Sequence, residues 1–326
     1  MIEIPASDKY AIIKQMIERP DNKLSIAALC EMARVSRSGF YSYLDTADAR
    51  AKREEDDLSA FNRILEAYSY RGYPKGAKRI YMHFLHMDPP ILMNLKKIRR
   101  LMAKYSLRCP VRRSNPYRRM ARAFEMASVA PDLVQREFEG RGPRKVLLTD
   151  ITYLINGVAP RCYLVTILDA CTREVLSWQL SASLEVDFVL AAVHELLEKH
   201  KVALSTQTIL HSDQGAHFKS VRFVRLLEDH ELRRSMSRKA NCWDNAPQES
   251  FFGHMKDEID ISDCRNFASI HAVIADWMDY YNHERYQWNL AKLAPAEYYH
   301  YICTGRYPLL IPPPQGISRR ERDNCE

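Results

Sequence analysis

Three carboxylates carry the candidate chemistry of this 326-residue chain. Asp150 lies in K-V-L-L-T-D-I-T-Y-L (145–154), a run apolar on both faces that reads as a buried strand. A bare carboxylate in such a strand needs a cation or several donors. Asp213 lies in H-S-D-Q-G-A-H-F (211–218), just after the apolar pair Ile209-Leu210. In an open α/β sheet, ligands gather outside the carboxyl ends of strands. Glu249 lies in N-C-W-D-N-A-P-Q-E-S-F-F-G-H-M-K-D-E (241–258). There Asn245 can cap a helix with Pro247 at its second position, and Gln248 at the third would complete a capping box. Glu249 then sits one turn in, and Gly253, four residues on, leaves the face above it open.

Taken singly, each has a plainer reading. Asp before Gly commonly forms a turn, a strand Asp commonly sits in a salt bridge, and a helical Glu is commonly a surface residue. Together they differ, because two strand positions and a helix can converge at one edge of a sheet. Three carboxylates drawn together repel, by about 4 kcal/mol per pair at about 4 Å and an effective dielectric of about 20. A divalent cation relieves that repulsion, and an all-oxygen set favours Mg²⁺ or Mn²⁺ over zinc. Two such ions are a known device for in-line displacement at phosphorus.

The elements that must position these residues follow from periodicity. K-V-L-L-T-D-I-T-Y-L, C-Y-L-V-T-I-L-D (162–169) and E-V-L-S-W-Q-L (174–180) are predicted as strands with short gaps, as in an antiparallel meander. V-D-F-V-L-A-A-V-H-E-L-L-E-K-H (186–200) is predicted as a helix, T-Q-T-I-L (206–210) as a strand and S-V-R-F-V-R-L-L-E-D-H (220–230) as a helix. Three strands, a helix, a strand and further helices describe an α/β domain with a mixed sheet.

Upstream the pattern is all-helical. L-S-I-A-A-L-C-E-M-A-R-V-S-R-S-G-F-Y-S-Y-L (24–44) reads as two helices about a turn near Val35-Ser36, with Ser36 as N-cap. A helix-turn-helix and a plain helical hairpin both fit. A-R-A-K-R-E-E-D-D (49–57) reads as a charged linker. In N-L-K-K-I-R-R-L-M-A-K-Y (94–105), Leu95, Ile98, Leu101 and Met102 form an apolar stripe, and Lys96, Lys97, Arg99, Arg100 and Lys104 a basic one. That is the form of a helix that packs on one side and meets phosphates on the other. C-P-V-R-R-S-N-P-Y-R-R-M-A-R (109–122) extends the basic stretch through Arg112 and Arg113.

Charge is unevenly distributed. The formal net charge is +7, yet eleven Lys or Arg and no acid fall between Ile91 and Phe124, so the remainder sums to −4 (7 minus 11). A local basic block of this kind points to a polyanion, and nucleic acid fits best. No apolar run approaches the roughly 18 residues that would span a membrane. The N-terminus MIEIPASDKY lacks the pattern of a signal peptide. None of the eight Cys forms a C-x-x-C pair, which suits free thiols in a reducing cytoplasm.

T-D-I-T-Y, H-S-D-Q-G and D-N-A-x-x-E-S-F-F-x-x-x-K, with 35 residues between Asp213 and Glu249, together resemble the integrase-like transposases of the insertion sequence 3 family, second-frame product. L-C-E-M-A-R-V-S-R-S-G-F-Y, R-G-Y-P-K-G-A-K-R-I-Y, K-K-I-R-R-L-M-A-K-Y-S-L, Y-Y-N-H-E-R and L-A-P-A-E-Y-Y extend the likeness over nearly the whole chain. The resemblance implies a ribonuclease H-like catalytic fold preceded by small helix-turn-helix modules. It implies Asp150, Asp213 and Glu249 as ligands of two Mg²⁺ or Mn²⁺ ions. It implies cleavage at the element's ends, transfer of the new 3′-hydroxyl to another phosphodiester, and a DNA-contacting basic residue at Lys256. A first-frame partner, usually fused by ribosomal frameshifting, is implied as well. Two departures stand out: Val146 replaces an aromatic residue, and Tyr-Gln-Trp-Asn-Leu follows Arg285 where a Pro-His run is usual.

The resulting segmentation is 1–50 for a helix-turn-helix-like part, 51–113 for a second helical DNA-binding module, 114–143 for a basic linker, 144–300 for the catalytic core and 301–326 for a tail, with 312–324 expected to be disordered. The protein is expected to be a cytoplasmic DNA transposase that acts on terminal inverted repeats and target DNA as a dimer or larger. A non-catalytic DNA-binding regulator and a ribonuclease H-type nuclease are the alternatives. Asp169 is expected to be a structural carboxylate, with Arg173 as its suggested partner. His211 and His217 are expected to shape the loop or touch DNA, Trp243 to anchor packing, and Tyr280, Tyr281 and Tyr286 to pack the last helices.

Overall fold

The computed structural model describes residues 4–110, 132–134, 141–155, 161–237 and 246–313. Arg112, Arg113, Trp243, Asn245 and nearly all of the expected disordered tail lie outside those residues. The chain divides into two compact units, Met1–Glu66 and Ala67–Glu326. The expected 51–113 segment is therefore shared between them.

In the first unit, α1 (Ala6–Ile17), α2 (Ile26–Met32) and α3 (Arg37–Asp45) pack around Ile13, Leu29, Cys30 and Phe40. Ser36 caps α3 as expected, its hydroxyl accepting from the Gly39 N–H at 3.0 Å. A β-carbon at Gly39 would lie 2.1 Å from the Tyr10 hydroxyl and 2.8 Å from the Ser36 hydroxyl, so any side chain there would displace Tyr10 and crowd the cap. α2 and α3 follow one another across a turn, and α1 packs against both. The charged stretch 49–57 is not a linker. It lies inside α4 (Ala47–Ser69), a 23-residue helix. Its basic residues precede its acidic ones at helical reach, and it contains no Gly or Pro to break the helix.

The second unit begins with α5 (Ala77–Leu85) and α6 (Leu95–Lys104), which pack on each other. Ile98, Leu101 and Met102 are buried as the stripe predicted. The sheet follows: β1 (Val146–Leu154), β2 (Cys162–Asp169), β3 (Val175–Ser181), β4 (Ile209–Ser212) and β5 (Arg233–Met236), in the order β3-β2-β1-β4-β5. β1, β2 and β3 are antiparallel, while β4 and β5 run parallel to β1. This mixed sheet is ribonuclease H-like. The sequence reading missed β5, whose R-R-S-M has no apolar alternation, and set β4 a few residues early.

Side-chain parity assigns the two faces. Leu147, Val165 and Ile167 face α7 (Val186–His200) and α8 (Val221–Asp229) in one core. Leu154, Cys162, Leu164 and Leu168 face α9 (Ala246–Glu258) and α10 (Phe267–His283) in another. α11 (Pro295–Thr304) closes a third cluster around Leu293, Tyr298 and Ile302. Tyr280 and Tyr281 are buried, and Tyr286 stacks on His86 at 3.6 Å, so all three pack as expected. Among the described residues no helix is long and apolar enough to cross a membrane.

Candidate active site

Asp150 is the fifth of the nine residues of β1. The apolar run led to the expectation of a buried strand on both sides, and here the structure differs. Pairing of β1 with β4 ends at Thr149–Ser212, whereas pairing with β2 continues to Leu154–Cys162. Asp150 is thus the first residue of β1 beyond the fork, and it is half-buried. This is the crevice between parallel strands at which open sheets take ligands.

Asp213 follows the last residue of β4. It lies one residue beyond the last β1–β4 pair, as Asp150 does on β1, and it is exposed. Its carboxylate accepts from the Gly215 N–H at 2.8 Å, so the Asx turn that makes Asp-x-Gly common also fixes Oδ1 here. A β-carbon at Gly215 would stand 2.9 Å from that Oδ1. His217 Nε2 donates to the Leu184 carbonyl, 2.9 Å away, and His211 is buried with Nδ1 2.9 Å from the Ser235 hydroxyl. Both histidines shape the loop.

Glu249 is exposed in the first turn of α9. Phe251, Phe252 and Met255 bury the opposite side of the helix against the sheet. A β-carbon at Gly253 would meet nothing within 4 Å, so the face above Glu249 is open as expected. Lys256 is half-buried on the same helix. Seven residues are close to two turns, about 10.5 Å of rise, so Lys256 leaves α9 in nearly the direction of Glu249.

The expected capping box involves Asn245 and so lies outside the described residues; the side chain of Gln248 is placed. It is fully buried, and its Nε2 donates to Oγ1 of Thr166. Thr166 is the cross-strand partner of Asp150, and directly opposed residues of an antiparallel pair project from the same face. The start of α9 is therefore fastened to the sheet beside Asp150. Among the described residues Gln248 Oε1 is buried without a hydrogen-bond partner. Sequence reasoning missed Thr166, although a lone hydroxyl in the apolar run C-Y-L-V-T-I-L was the available signal. At its other end α9 is held by Glu258, which accepts from Arg79 at 2.6 Å, Arg285 at 2.9 Å and the Trp277 indole at 3.2 Å. Burial opposes ionisation, but the guanidiniums of Arg285 and Arg79 hold the Glu258 carboxyl down at about 2.

Asp150 and Asp213 each come directly after the last β1–β4 pair, and Glu249 follows Gln248 on α9. Among the described residues no three of His, Cys, Asp and Glu are grouped so as to hold a metal ion. Asp169 stands apart from them as a structural carboxylate. Its guanidinium partner is Arg144, at 2.9 Å, and not the suggested Arg173. The reason is register: Asp169 pairs with Leu147, which brings the residues before β1 to the end of β2. Arg173 meets Asp169 through its own backbone N–H, donated to the Asp169 carbonyl at 2.8 Å.

The basic residues of α6 sit where its amphipathic pattern put them. Lys96, Arg99, Arg100 and Lys104 are exposed and Lys97 is half-buried. Arg79 of the adjoining α5 pairs with Glu258, which ties this helical pair to the helix that carries Glu249.

Residues 140–242 match an integrase core domain model, and 230–295 match a second model of the same description. The chain is 31% identical over 274 residues to the putative transposase InsK for insertion sequence element IS150 of Escherichia coli (strain K12), covering 83% of this chain and 92% of that protein. It is 28% identical over 243 residues to the transposase InsF for insertion sequence IS3A of the same strain, covering 74% and 82%. Among solved structures, a simian T-cell lymphotropic virus intasome in complex with PP2A regulatory subunit B56 gamma aligns over 78% of this chain and 77% of that one, at 12% identity and a TM-score of 0.42.

Proposed function

Because this chain belongs to the IS3 family of integrase-like insertion-sequence transposases, we propose that its polynucleotidyl-transferase chemistry runs on Asp150, Asp213 and Glu249. The protein is a DNA transposase. The observation that carries the assignment is the fork in the sheet. Asp150 follows the last β1–β4 pair, Asp213 follows the last residue of β4, and Gln248 fastens the turn that carries Glu249 to the residue opposite Asp150.

The donor chemistry fits a hard divalent cation. All three groups are carboxylates, the set that suits Mg²⁺ or Mn²⁺, and buried Gln248 Oε1 adds an acceptor with no partner among the described residues. Two such ions would supply the Lewis acid for in-line displacement at phosphorus. The protein's part is positioning. Gly215 orients Asp213 through its N–H, and Thr166 and Gln248 fix the first turn of α9. Glu249 faces solvent, where a phosphodiester can arrive. Lys256 lies two turns along the same side and would meet a neighbouring phosphate. Lys96, Lys97, Arg99, Arg100 and Lys104, with Arg112 and Arg113 beyond them, would hold the DNA backbone.

The substrates are the element's terminal inverted repeats and a target duplex. Water or a 3′-hydroxyl attacks phosphorus and a 3′-oxygen leaves, so the number of phosphodiesters is conserved on joining. Two ends must meet, which calls for a dimer or larger on DNA. The test is Asp150→Asn, Asp213→Asn and Glu249→Gln, each close to isosteric. Each variant should lose cleavage and joining of end-containing DNA in Mg²⁺ and keep its DNA affinity. Joining near the wild-type rate by any one of them would remove that residue from the site.

A further inference from the structure

The departure after Arg285 has a physical form. Trp288, in Y-Q-W-N-L-A-K-L (286–293), is 40% exposed, whereas Trp277 is fully buried. The Lys78 and Lys292 ammoniums lie 5.0 and 5.5 Å from the centre of its ring. Neither lysine pairs with a carboxylate among the described residues. The Tyr81 ring lies 6.2 Å away, one turn after Lys78 on α5.

The loop that presents Trp288 is held under strain. Ala291 and Lys292 are consecutive non-glycine residues in the left-handed region, at φ 54° and 67°. Such residues are strained and persist only where their surroundings hold them. The surroundings do so here. Gln287 N–H donates to Leu293 O at 3.0 Å, and Lys292 N–H to Gln287 O at 3.1 Å. The Tyr307 hydroxyl donates to Ala291 O at 2.7 Å, and Leu290, Ala291 and Leu293 are buried. His86, stacked on Tyr286, reaches Glu297 at 3.1 Å, and Glu297 accepts from Ala294 N–H. A surface indole on a frame this fixed loses little entropy when it meets a flat ligand.

We propose that Trp288, with Lys78 and Lys292, is a second DNA site, one that stacks an unpaired base on the indole and sets the two ammoniums on flanking phosphates. An exposed indole with two cations over it, neither paired with a carboxylate among the described residues, matches a single strand: a base takes the ring face as the two ammoniums move to the flanking phosphates. Duplex DNA hides its base faces, so the site selects strand that is frayed or released, as a transposase produces at a cut end. α5 also packs against α6, whose outer face carries the basic stripe, so the two sites adjoin on one helical pair. The inference rests on the protein's action on DNA and not on the carboxylate assignment.

The test is equilibrium binding of a labelled oligothymidine by the full-length protein without divalent metal, which leaves the carboxylate chemistry out of the readout. Trp288→Ala should weaken binding about tenfold, in line with about 1–3 kcal/mol per stacked base, while Trp288→Tyr keeps most of the affinity. Lys78→Ala/Lys292→Ala should flatten the slope of log affinity against log salt by about 1.4, for two phosphates released on a single strand. Melting temperatures should stay at the wild-type value, since Trp288 and Lys78 are exposed. Oligothymidine affinity and slope unchanged in both variants would overturn the site. So would a change of oligomeric state with unaltered DNA affinity, which would make this face a contact between copies of the chain.

Discussion

Gln248 donates its side-chain amide to the hydroxyl of Thr166, the residue that faces Asp150 across the β1–β2 ladder. The two are 82 positions apart in sequence. Their bond fixes where α9 begins relative to the strand, and with it the position of Glu249.

Thr166→Val keeps the shape and removes the acceptor, leaving the donor end of a buried amide unpaired. The cost is about 1–3 kcal/mol, seen as a lower melting temperature. Joining should fall further than the stability loss explains, at unchanged DNA affinity, because the first turn of α9 is no longer held. Thr166→Ser should restore joining. Equal joining by Thr166→Val and wild type would show that the bond is a packing feature alone.

Gly215→Ala tests the turn beneath Asp213. The new methyl group would lie 2.9 Å from Oδ1 of Asp213, tighter than a non-bonded contact allows, so the carboxylate must move. The backbone needs no left-handed conformation here, so folding should be little affected. Cleavage in Mg²⁺ should drop at least about tenfold, equivalent to about 1.4 kcal/mol in the barrier. Wild-type cleavage rates in this variant would separate Asp213 from the chemistry.

The Glu258 network sets an acid limit on stability. Its carboxyl is held at about 2, below the ordinary 4.5, so its contribution is complete above about pH 4.5 and is lost as pH falls through about 2. Glu258→Gln leaves Arg79 and Arg285 facing a neutral amide. Breaking one partner of a buried pair costs about 3–5 kcal/mol. Melting temperature against pH should fall between pH 4.5 and 2 in the wild type and run flatter in Glu258→Gln. Parallel curves would place the acid sensitivity elsewhere.

Arg99→Ala/Arg100→Ala tests the outer face of α6. For every phosphate of duplex DNA that the variant no longer neutralises, the salt slope should be reduced by about 0.9. A double variant that binds end-containing duplex with the wild-type slope would leave this face simply solvated.

Residue types and local periods were enough to nominate the three carboxylates, to set β1, β2 and β3, to cap α3 at Ser36 and to divide α6 into a buried and a basic side. Each depends on neighbours within a turn or two, where propensity and hydrophobic alternation act. What local pattern could not decide was set by pairing at a distance. The β1–β4 ladder stops at Thr149, so a mid-strand Asp that read as buried opens at a fork. Gln248, read as a helix cap, crosses to the sheet, because its position in the first turn of α9 faces Thr166 at close range. Arg144 rather than Arg173 holds Asp169 because strand register brings the start of β1 to the end of β2. β5, too polar to announce itself, is a strand only because β4 offers it an edge. Carboxylate identity is written in the chain, while the fork after which Asp150 and Asp213 stand, and the seat of the helix that carries Glu249, exist only once the sheet has chosen its register.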